Sequence, residues 1–254
     1  MTTSVALTIA GSDPSGGAGI QADLKTFHQF GVYGEAVVTL ITVQNTRGVR
    51  RVEVLDAELV LEQIRAVLED IPPQAAKLGA LGNPATAAAL FELSPAFKFP
   101  LVVDPVMISK HGMPLWDGPM PVIRSYLITP NLHEASVLAG FPVDDLPSMR
   151  RAAQRLLELG ASNVLIKGGH LSGEAVDLLY TSAREFHEFS ALRIATPHTH
   201  GTGCTYSAAI TAELAKGTPL VAAVGRAKAF ITEAIRTNPG LGGGHGPLNH
   251  FARP

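Results

Sequence analysis

The hydrophobic pattern alternates between short apolar runs and longer segments in which apolar residues recur at helical spacing. The short runs predict strands at Val5–Ala10, Ala36–Val43, Ala76–Leu78, Leu101–Val103, Tyr126–Thr129 and Val164–Lys167, and then a hairpin of Val176–Tyr180 with Arg184–Phe189. The longer segments predict helices at Ile20–Phe30, Glu58–Glu69, Ala85–Leu93, Glu134–Ala139, Pro147–Leu159, Cys204–Lys216 and Leu220–Thr237. Continuous apolar strands that alternate with helices indicate an α/β protein whose mostly parallel sheet is covered on both faces. Ligands of such sheets bind beyond the carboxyl ends of the strands.

Composition favours a compact single domain. The chain has 254 residues, of which 46% are hydrophobic and 17% charged, and no repeat or linker-like stretch divides residues 1–254. The net charge of −2, without a basic block, argues against a nucleic-acid partner. No apolar run approaches the roughly 20 residues that span a membrane. The N-terminus has no basic leader, and the single cysteine excludes an internal disulfide. We therefore expect a cytoplasmic protein.

The most informative segment is the turn Thr199–Thr205, which runs into an alanine-rich apolar helix. Gly201 and Gly203 let the backbone N–H groups of Thr202 and its neighbours converge at the positive end of that helix, where an anion can bind. Cys204 lies in the same turn, where a helix N-terminus is expected to lower the pKa of a thiol. An anion site beside a candidate base indicates phosphoryl transfer, whereas the alternative is a tight turn that only caps a core helix.

A second glycine-rich loop, Gly11–Gly19, connects the first predicted strand and helix. Its segment Gly17–Ala22 matches the loose dinucleotide fingerprint GxGxxG/A. The loop is too long for that tight turn, and the next strand ends in Gln44 rather than in an acid for the ribose. No Lys-Ser/Thr pair follows the glycines, so the loop is not a Walker loop either. It either approaches a ligand closely or is a flexible connection.

Polar residues follow other predicted strands. Gln44 offers a donor and an acceptor, which suits an aminopyrimidine edge, although it is also compatible with an ordinary loop residue. Asp104 places a carboxylate at a strand end. Asn131 and Glu134 stand three residues apart at a helix start, an arrangement compatible with either a Mg²⁺ ligand or a helix cap.

Two lysines are candidates for phosphate contacts. Lys167 ends a strand in the motif Lys167–His170, where it either meets a nucleotide phosphate or lies in solvent. Lys228, on the last helix, either points towards the same site or lies on the surface.

Together these segments resemble the ribokinase-like superfamily, and within it the bacterial hydroxymethylpyrimidine/phosphomethylpyrimidine kinases of thiamine biosynthesis. The matching motifs are Ala10–Thr26, Gln44–Gly48, Val103–Met107, Ile128–Asn131 with Glu134, Lys167–His170, Thr199–Thr205 and Gly242–Phe251. They stand in the family's order and cover almost the whole chain. The resemblance implies a three-layer α/β/α fold, a homodimer, and the use of ATP and Mg²⁺ to phosphorylate the hydroxymethyl group of a pyrimidine and then the resulting monophosphate.

The resemblance also implies residue roles. The pyrimidine pocket would comprise Gln44, Asp23, Gly11, Ala18, Ala80 and Val106. The anion hole would comprise Gly201, Thr202, Gly203 and Cys204. Asp104 and Glu134 would hold Mg²⁺, and the nucleotide would meet Asn131, Lys167, Lys228 and His200. Cys204 stands where sugar kinases of the superfamily carry an aspartate base, so it either accepts the proton of the substrate alcohol or shapes the anion hole. Ala80 replaces a methionine found in many relatives, which would enlarge the pocket.

Three rival functions remain. A pyridoxal/pyridoxine kinase of the same subgroup would also phosphorylate a hydroxymethyl group on a nitrogen heterocycle, although Gln44–Gly48 favours the pyrimidine. A nicotinamide-dependent oxidoreductase would rest on Gly17–Gly19 alone. A catalytically silent ligand-binding protein is opposed by the presence of Asp104, Glu134, Lys167 and Cys204.

Overall fold

The computed structural model describes residues 3–108, 112–113, 115, 125–169 and 174–253. Its strands are β1 (Val5–Ser12), β2 (Tyr33–Asn45), β3 (Gly48–Val54), β4 (Ala75–Leu78), β5 (Leu101–Val103), β6 (Leu127–Ile128), β7 (Val164–Ile166), β8 (Ala175–Tyr180) and β9 (Phe186–Ala191). Its helices are α1 (Gly19–Gln29), α2 (Ala57–Asp70), α3 (Pro84–Leu93), α4 (Leu132–Ala139), α5 (Leu146–Glu158), α6 (Thr202–Ala215) and α7 (Leu220–Arg236). None of these helices is long and apolar enough to cross a membrane.

All these strands belong to one sheet, in the order β3-β2-β1-β4-β5-β6-β7-β8-β9. The six strands from β2 to β7 in this order pair in parallel, and β3, β8 and β9 add antiparallel edges. The predicted mostly parallel α/β fold is therefore confirmed.

Alternation along the central strands sends side chains into two separate cores. Leu7 and Ile9 of β1 pack on one face, against α2, α3, α4 and α5. Ala6, which precedes Leu7, belongs to the opposite core, which α1, α6 and α7 cover. The same alternation in β4, β5, β7 and β8 follows from the period of two along a strand. Because the central strands are apolar on both faces, helices cover both sides of the sheet and the fold has three layers, α/β/α.

Helix starts follow ordinary capping chemistry. The Asn83 side chain accepts a hydrogen bond from the Thr86 N–H at the start of α3, and Asp145 does the same for Ser148 in α5. Both caps satisfy N–H groups that the first helical turn leaves unpaired.

The sequence prediction missed β3, which pairs with the end of β2 through a two-residue turn. Its sequence, Gly-Val-Arg-Arg-Val-Glu-Val, alternates only weakly, and every residue is partly or fully exposed. An edge strand of this kind has no continuous apolar run to identify it. The predicted hairpin of Val176–Tyr180 with Arg184–Phe189 is confirmed, with its second strand starting at Phe186.

Candidate active site

A cavity of about 310 Å³ opens at the carboxyl edge of the parallel strands. Residues that follow or end β1, β2, β4, β5, β6 and β7 line it, together with the first turn of α6. This is the location predicted from the strand pattern. His170, the last residue of one matching motif, lies outside the described residues.

One wall of the cavity contains most of the residues predicted to contact a pyrimidine. Gly11, Ala18, Gln44, Ala80 and Val106 all line it. A register shift in the β2–β3 pairing falls between Val43 and Gln44, at the point where the glutamine reaches the cavity. Such irregularities alter the direction of a side chain at the end of a strand. Leu40, Ala80 and Val106 add apolar surface to the lining beside this amide.

Asp13, which was not among the predicted site residues, organises that loop through hydrogen bonds. Its Oδ1 accepts hydrogen bonds from the N–H and the hydroxyl of Ser15, at 2.8 and 2.7 Å. Its Oδ2 accepts hydrogen bonds from the Ala18 N–H at 2.9 Å and from His200 Nε2 at 2.8 Å. A carboxylate directly after an apolar strand is the signal that identified Asp104, and it could have identified Asp13.

The turn before α6 forms the opposite end of the cavity. Gly201 is the N-cap of α6 with φ of 80°, and a Cβ there would collide with the carbonyl oxygen of Gly17. Thr202, Gly203 and Cys204 form the first helical turn and line the cavity, so their N–H groups stand at the positive end of α6. His200, which was predicted to contact the nucleotide, lines the cavity and forms a hydrogen bond with Asp13.

The environment of Cys204 contradicts the expectation of a lowered pKa. Burial raises the pKa of the thiol to about 11, against the opposing effect of the nearby Lys77 ammonium. The carboxylates of Asp23 and Asp104 raise it further. Desolvation thus outweighs the two effects that lower the pKa, the Lys77 ammonium and a hydrogen bond to the Gly19 backbone, and at neutral pH the group is a thiol. Without ligands Cys204 can donate a hydrogen bond or pack, but it holds no thiolate that could act as a base.

Asp104 and Lys167 form an ion pair beside this turn. Lys167 Nζ donates to Asp104 Oδ1 at 2.7 Å, and the Asp104 side chain is 2% exposed. Burial lowers the pKa of Lys167, but Asp104 and Glu134 outweigh it and raise the pKa. A Cβ on Gly203 would lie 3.2 Å from Lys167 Nζ, so the ion pair packs directly against the first turn of α6.

Asn131 and Glu134 form the capping box of α4. The Asn131 side chain accepts from the Glu134 N–H at 3.0 Å, and Glu134 Oε2 accepts from the Asn131 N–H at 2.8 Å. Both residues also line the cavity, so the cap and the site use the same side chains. Burial raises the pKa of Glu134 to about 7, with Lys167 lowering and Asp104 raising it.

The carboxylates of Asp104 and Glu134 are suitable ligands for Mg²⁺. Among the described residues, no group of three or more His, Cys, Asp or Glu side chains forms a dedicated metal cage. Mg²⁺ needs only one or two carboxylates when phosphate oxygens and water complete its shell. Lys167 interacts with both Asp104 and Glu134, and a divalent cation bound here would favour the ionised form of Glu134, whose pKa is about 7.

Two of the predicted site residues lie outside the cavity lining. Asp23 is fully buried behind the wall, where both its oxygens accept hydrogen bonds from Lys77 Nζ at 2.7 Å. Lys77, rather than Asp23, reaches the cavity. Lys228 pairs with Asp177 at 2.7 Å. The expected pocket position is therefore wrong for Asp23, and the structure holds Lys228 in a separate ion pair.

Lys77 is a further cavity residue that was not predicted from the sequence. It lies inside the apolar strand β4 and is fully buried. Burial lowers its pKa, but the Asp23 carboxylate outweighs this and raises it. A lysine within a continuous apolar strand requires a buried partner of opposite charge, so the sequence could have predicted an ion pair for Lys77.

Comparison with solved structures identifies the class of fold. The chain superposes with a TM-score of 0.89 on an ADP complex of Bacillus subtilis pyridoxal kinase, at 36% sequence identity, covering 99% of this chain and 98% of that one. The fold is that of the ribokinase-like kinases.

Sequence comparison then identifies the family within this class. The family described as phosphomethylpyrimidine kinase matches residues 13–249, and the chain belongs to this family. The hydroxymethylpyrimidine/phosphomethylpyrimidine kinase of Bacillus subtilis is 44% identical over 257 residues, which cover 97% of this chain and 94% of the relative. The thiamine biosynthesis bifunctional protein ThiED of Geobacter sulfurreducens is 49% identical over 96% of this chain and 52% of its own length. The chain thus spans about half of that relative.

Proposed function

We propose that this chain is an ATP-dependent kinase of thiamine biosynthesis. It phosphorylates 4-amino-5-hydroxymethyl-2-methylpyrimidine to the monophosphate and then phosphorylates that product to the pyrophosphate. The observation that carries this proposal is one cavity with an amide-bearing apolar wall at Gln44 and a helix N-terminus at Gly201–Cys204. Membership of the phosphomethylpyrimidine kinase family supports it.

The apolar wall provides the pyrimidine end of the site. A flat heterocycle buries its faces against Leu40, Ala80 and Val106, which line the cavity with Gln44. The amino group and the adjacent ring nitrogen of the pyrimidine form a donor–acceptor edge, which one primary amide can match. Small residues such as Gly11 and Ala18 on the facing loop leave room for the ring.

The α6 turn provides the phosphoryl end. The N–H groups of the first turn stabilise the charge on the transferred phosphoryl group, and Lys167 and Asn131 stand where nucleotide phosphates would approach. Asp104 and Glu134 would hold Mg²⁺, which neutralises phosphate charge when bound.

In the first reaction, the hydroxymethyl oxygen attacks the γ-phosphorus of ATP, a new P–O bond forms, ADP leaves and the alcohol proton is released. In the second, an oxygen of the monophosphate attacks in the same way, and no alcohol proton has to be removed. The high pKa of Cys204 favours its role in shaping the anion hole over its role as a base. Positioning and electrostatic stabilisation suffice for a largely dissociative transition state.

Phosphorylation of pyridoxal is the second candidate function, because the structural relative described above is a pyridoxal kinase at 36% identity. The higher identities of 44% and 49% to proteins named for pyrimidine phosphorylation and thiamine biosynthesis favour the pyrimidine.

We also propose a cytoplasmic homodimer without nucleic-acid partners. The net charge of −2 supports the absence of nucleic-acid partners. Ile41 and Val43 on β2 are 49% and 51% exposed, and such apolar exposure is compatible with a subunit contact. Light scattering after gel filtration at micromolar protein would give twice the chain mass of 26.7 kDa, and a monomer would contradict the proposal.

The deciding experiment is product analysis after incubation with ATP and the aminopyrimidine alcohol, with and without Mg²⁺, beside a parallel pyridoxal reaction. We expect the monophosphate and then the pyrophosphate, only with Mg²⁺. Gln44→Ala should raise the KM for the pyrimidine about tenfold and leave the KM for ATP within about twofold, because it removes a hydrogen-bonding pair with the ring. Gln154→Ala, at an exposed glutamine of α5, is the matched control. Phosphorylation of pyridoxal alone, or equal effects of Gln44→Ala on both KM values, would contradict the proposal.

A further inference from the structure

A buried ion pair joins the last helix, α7, to strand β8. Lys228 Nζ lies 2.7 Å from Asp177 Oδ2 and also donates to the Ala175 carbonyl oxygen at 2.9 Å. Asp177 is 3% exposed and Lys228 is 9% exposed. Leu179, two residues after Asp177, belongs to the core that α6 and α7 cover, so the alternation along β8 places Asp177 on the side of the sheet where α7 carries Lys228. A buried ion pair is often no more stabilising than apolar side chains of the same size, so stability alone does not account for this one.

The second oxygen of Asp177 holds the backbone next to Lys167. Asp177 Oδ1 accepts a hydrogen bond from the Gly168 N–H at 2.9 Å, and this N–H belongs to the peptide group that directly follows Lys167. On the other side, the Lys167 N–H donates to the Pro130 carbonyl oxygen at 2.8 Å. The backbone of Lys167 is therefore anchored both before and after its Cα, once by the main chain and once by the Asp177 carboxylate.

This anchoring matters because of where the Lys167 side chain goes. Lys167 and Gly169, on either side of Gly168, line the cavity, and Lys167 Nζ donates to Asp104 at its phosphoryl end. A lysine ammonium is a point charge on a flexible four-carbon stem, so its location depends on a fixed backbone at its base. Neither Asp177 nor Lys228 is among the described residues that line the cavity.

We propose that Asp177 and Lys228 are positioning residues for the nucleotide: Asp177 supplies the acceptor that fixes the Lys167–Gly168 peptide group, and Lys228 holds that acceptor in place, so that Lys167 can meet the nucleotide phosphates. Lys228 thus serves the nucleotide through Asp177 and not by direct contact. This inference rests on the proposed function, since it requires that Lys167 meet a nucleotide.

The test compares two double variants, Lys228→Met/Asp177→Asn and Lys228→Met/Asp177→Leu. Both remove the ion pair and the Lys228 donor to Ala175, and neither leaves an unpaired buried charge. Asparagine and leucine are each close to aspartate in size, but only asparagine has a carbonyl oxygen that can accept from the Gly168 N–H. The two proteins therefore differ in the acceptor alone.

The primary readout is the Kd of the non-hydrolysable ATP analogue AMP-PCP with Mg²⁺, measured by isothermal titration calorimetry. We expect the leucine-containing double variant to raise this Kd about tenfold, which corresponds to the loss of one charge-assisted contact with a phosphate, and the asparagine-containing one to stay within about threefold of wild type. The KM for the pyrimidine alcohol should stay within about twofold in both, because the Gln44 wall is untouched.

Arg226→Met is the matched control on the same helix. It removes an exposed ion pair with Glu213, which keeps Lys216 as a partner, and should leave both constants within about twofold of wild type. Equal AMP-PCP affinities of the two double variants would overturn the inference, because the acceptor would then be irrelevant to the nucleotide. An equal increase in the AMP-PCP Kd and the pyrimidine KM would also overturn it, because that pattern indicates general loosening of the site.

A measurement on wild type covers the case in which the leucine-containing variant fails to fold. In the ligand-free protein, the Gly168 amide proton should exchange slowly with solvent in NMR spectra, and AMP-PCP with Mg²⁺ should shift its resonance while the pyrimidine alcohol alone should not. Free exchange of this proton, or no shift with AMP-PCP, would refute the inference. If wild type phosphorylates no aminopyrimidine but the two double variants differ in AMP-PCP affinity, the proposed substrate fails and the positioning role stands.

Discussion

Replacing Lys77 by methionine should destabilise the protein strongly, because it leaves the Asp23 carboxylate buried without its cation. Both side chains are fully buried, and Lys77 Nζ lies 2.7 Å from each Asp23 oxygen. Removing one partner of such a pair costs about 3–5 kcal/mol. In a chain of this length, this corresponds to a fall in Tm of about 6–20 °C.

The double variant Lys77→Met/Asp23→Asn separates the ion pair from simple packing. An asparagine keeps an oxygen for the Thr8 hydroxyl, which donates to Asp23 Oδ2 at 2.6 Å. Without either charge, the double variant should recover about 2 kcal/mol relative to the sum of the two single changes. Urea unfolding followed by circular dichroism measures all four free energies of unfolding. Lys98→Met, at an exposed lysine, should change stability by less than about 0.5 kcal/mol.

Two results would refute this reasoning. A Lys77→Met protein within about 1 kcal/mol of wild type would mean that the Asp23 charge is solvated or neutralised in another way. Additive effects of the two substitutions would mean that the two side chains are not coupled.

Two further predictions concern single titratable groups. Cys204→Ser should slow both phosphorylations by a similar factor, because a thiol whose pKa is about 11 is protonated at neutral pH and cannot act as a base. Kinetics that resolve the monophosphate and pyrophosphate products measure both steps. Slowing of the first step alone would identify Cys204 as a base. Glu35→Gln should stabilise the protein at pH 8 by about 1 kcal/mol and have little effect near pH 4, because burial and then Asp70 raise the Glu35 pKa to about 7. The folded state of wild type thus binds a proton that the unfolded chain has lost, and its stability falls as pH rises from 4.5 to 7. Urea unfolding of wild type and Glu35→Gln at pH 4 and pH 8 measures this effect. The same difference in stability between the two proteins at both pH values would contradict the prediction.

The sheet and its helices could be predicted because apolar residues fill both faces of the central strands. The cavity position followed from the same pattern, since polar residues such as Gln44 and Asp104 stand at the strand ends. The edge strand β3 escaped prediction because only one of its edges is paired and no residue in it is buried.

The positions of individual side chains were harder to predict. The sequence places Asp23 next to the glycine-rich loop but does not show that the side chain turns away from the cavity towards a lysine 54 residues further along the chain. The pKa of Cys204 depends on burial and on carboxylates from distant segments, whereas the sequence showed only its place at a helix start. The side-chain position of Asp23 and the pKa of Cys204 therefore both depend on residues that are distant in the sequence.

Gly17 and Gly201 meet backbone to backbone, and this contact restricts how the chain can diverge. A Cβ on Gly201 would collide with the Gly17 carbonyl, and a Cβ on Gly17 would lie 2.6 Å from the His200 ring. Gly201 cannot gain a side chain while the Gly11–Gly19 loop keeps its present path, and a side chain at Gly17 would displace the His200 ring. Exchange of the Gly11–Gly19 loop between family members therefore has the best prospect of yielding active chimeras when the Thr199–Thr205 turn is transferred with it. Evolution towards new substrates would more readily proceed through wall residues such as Ala80, which can change in size while the junction stays intact.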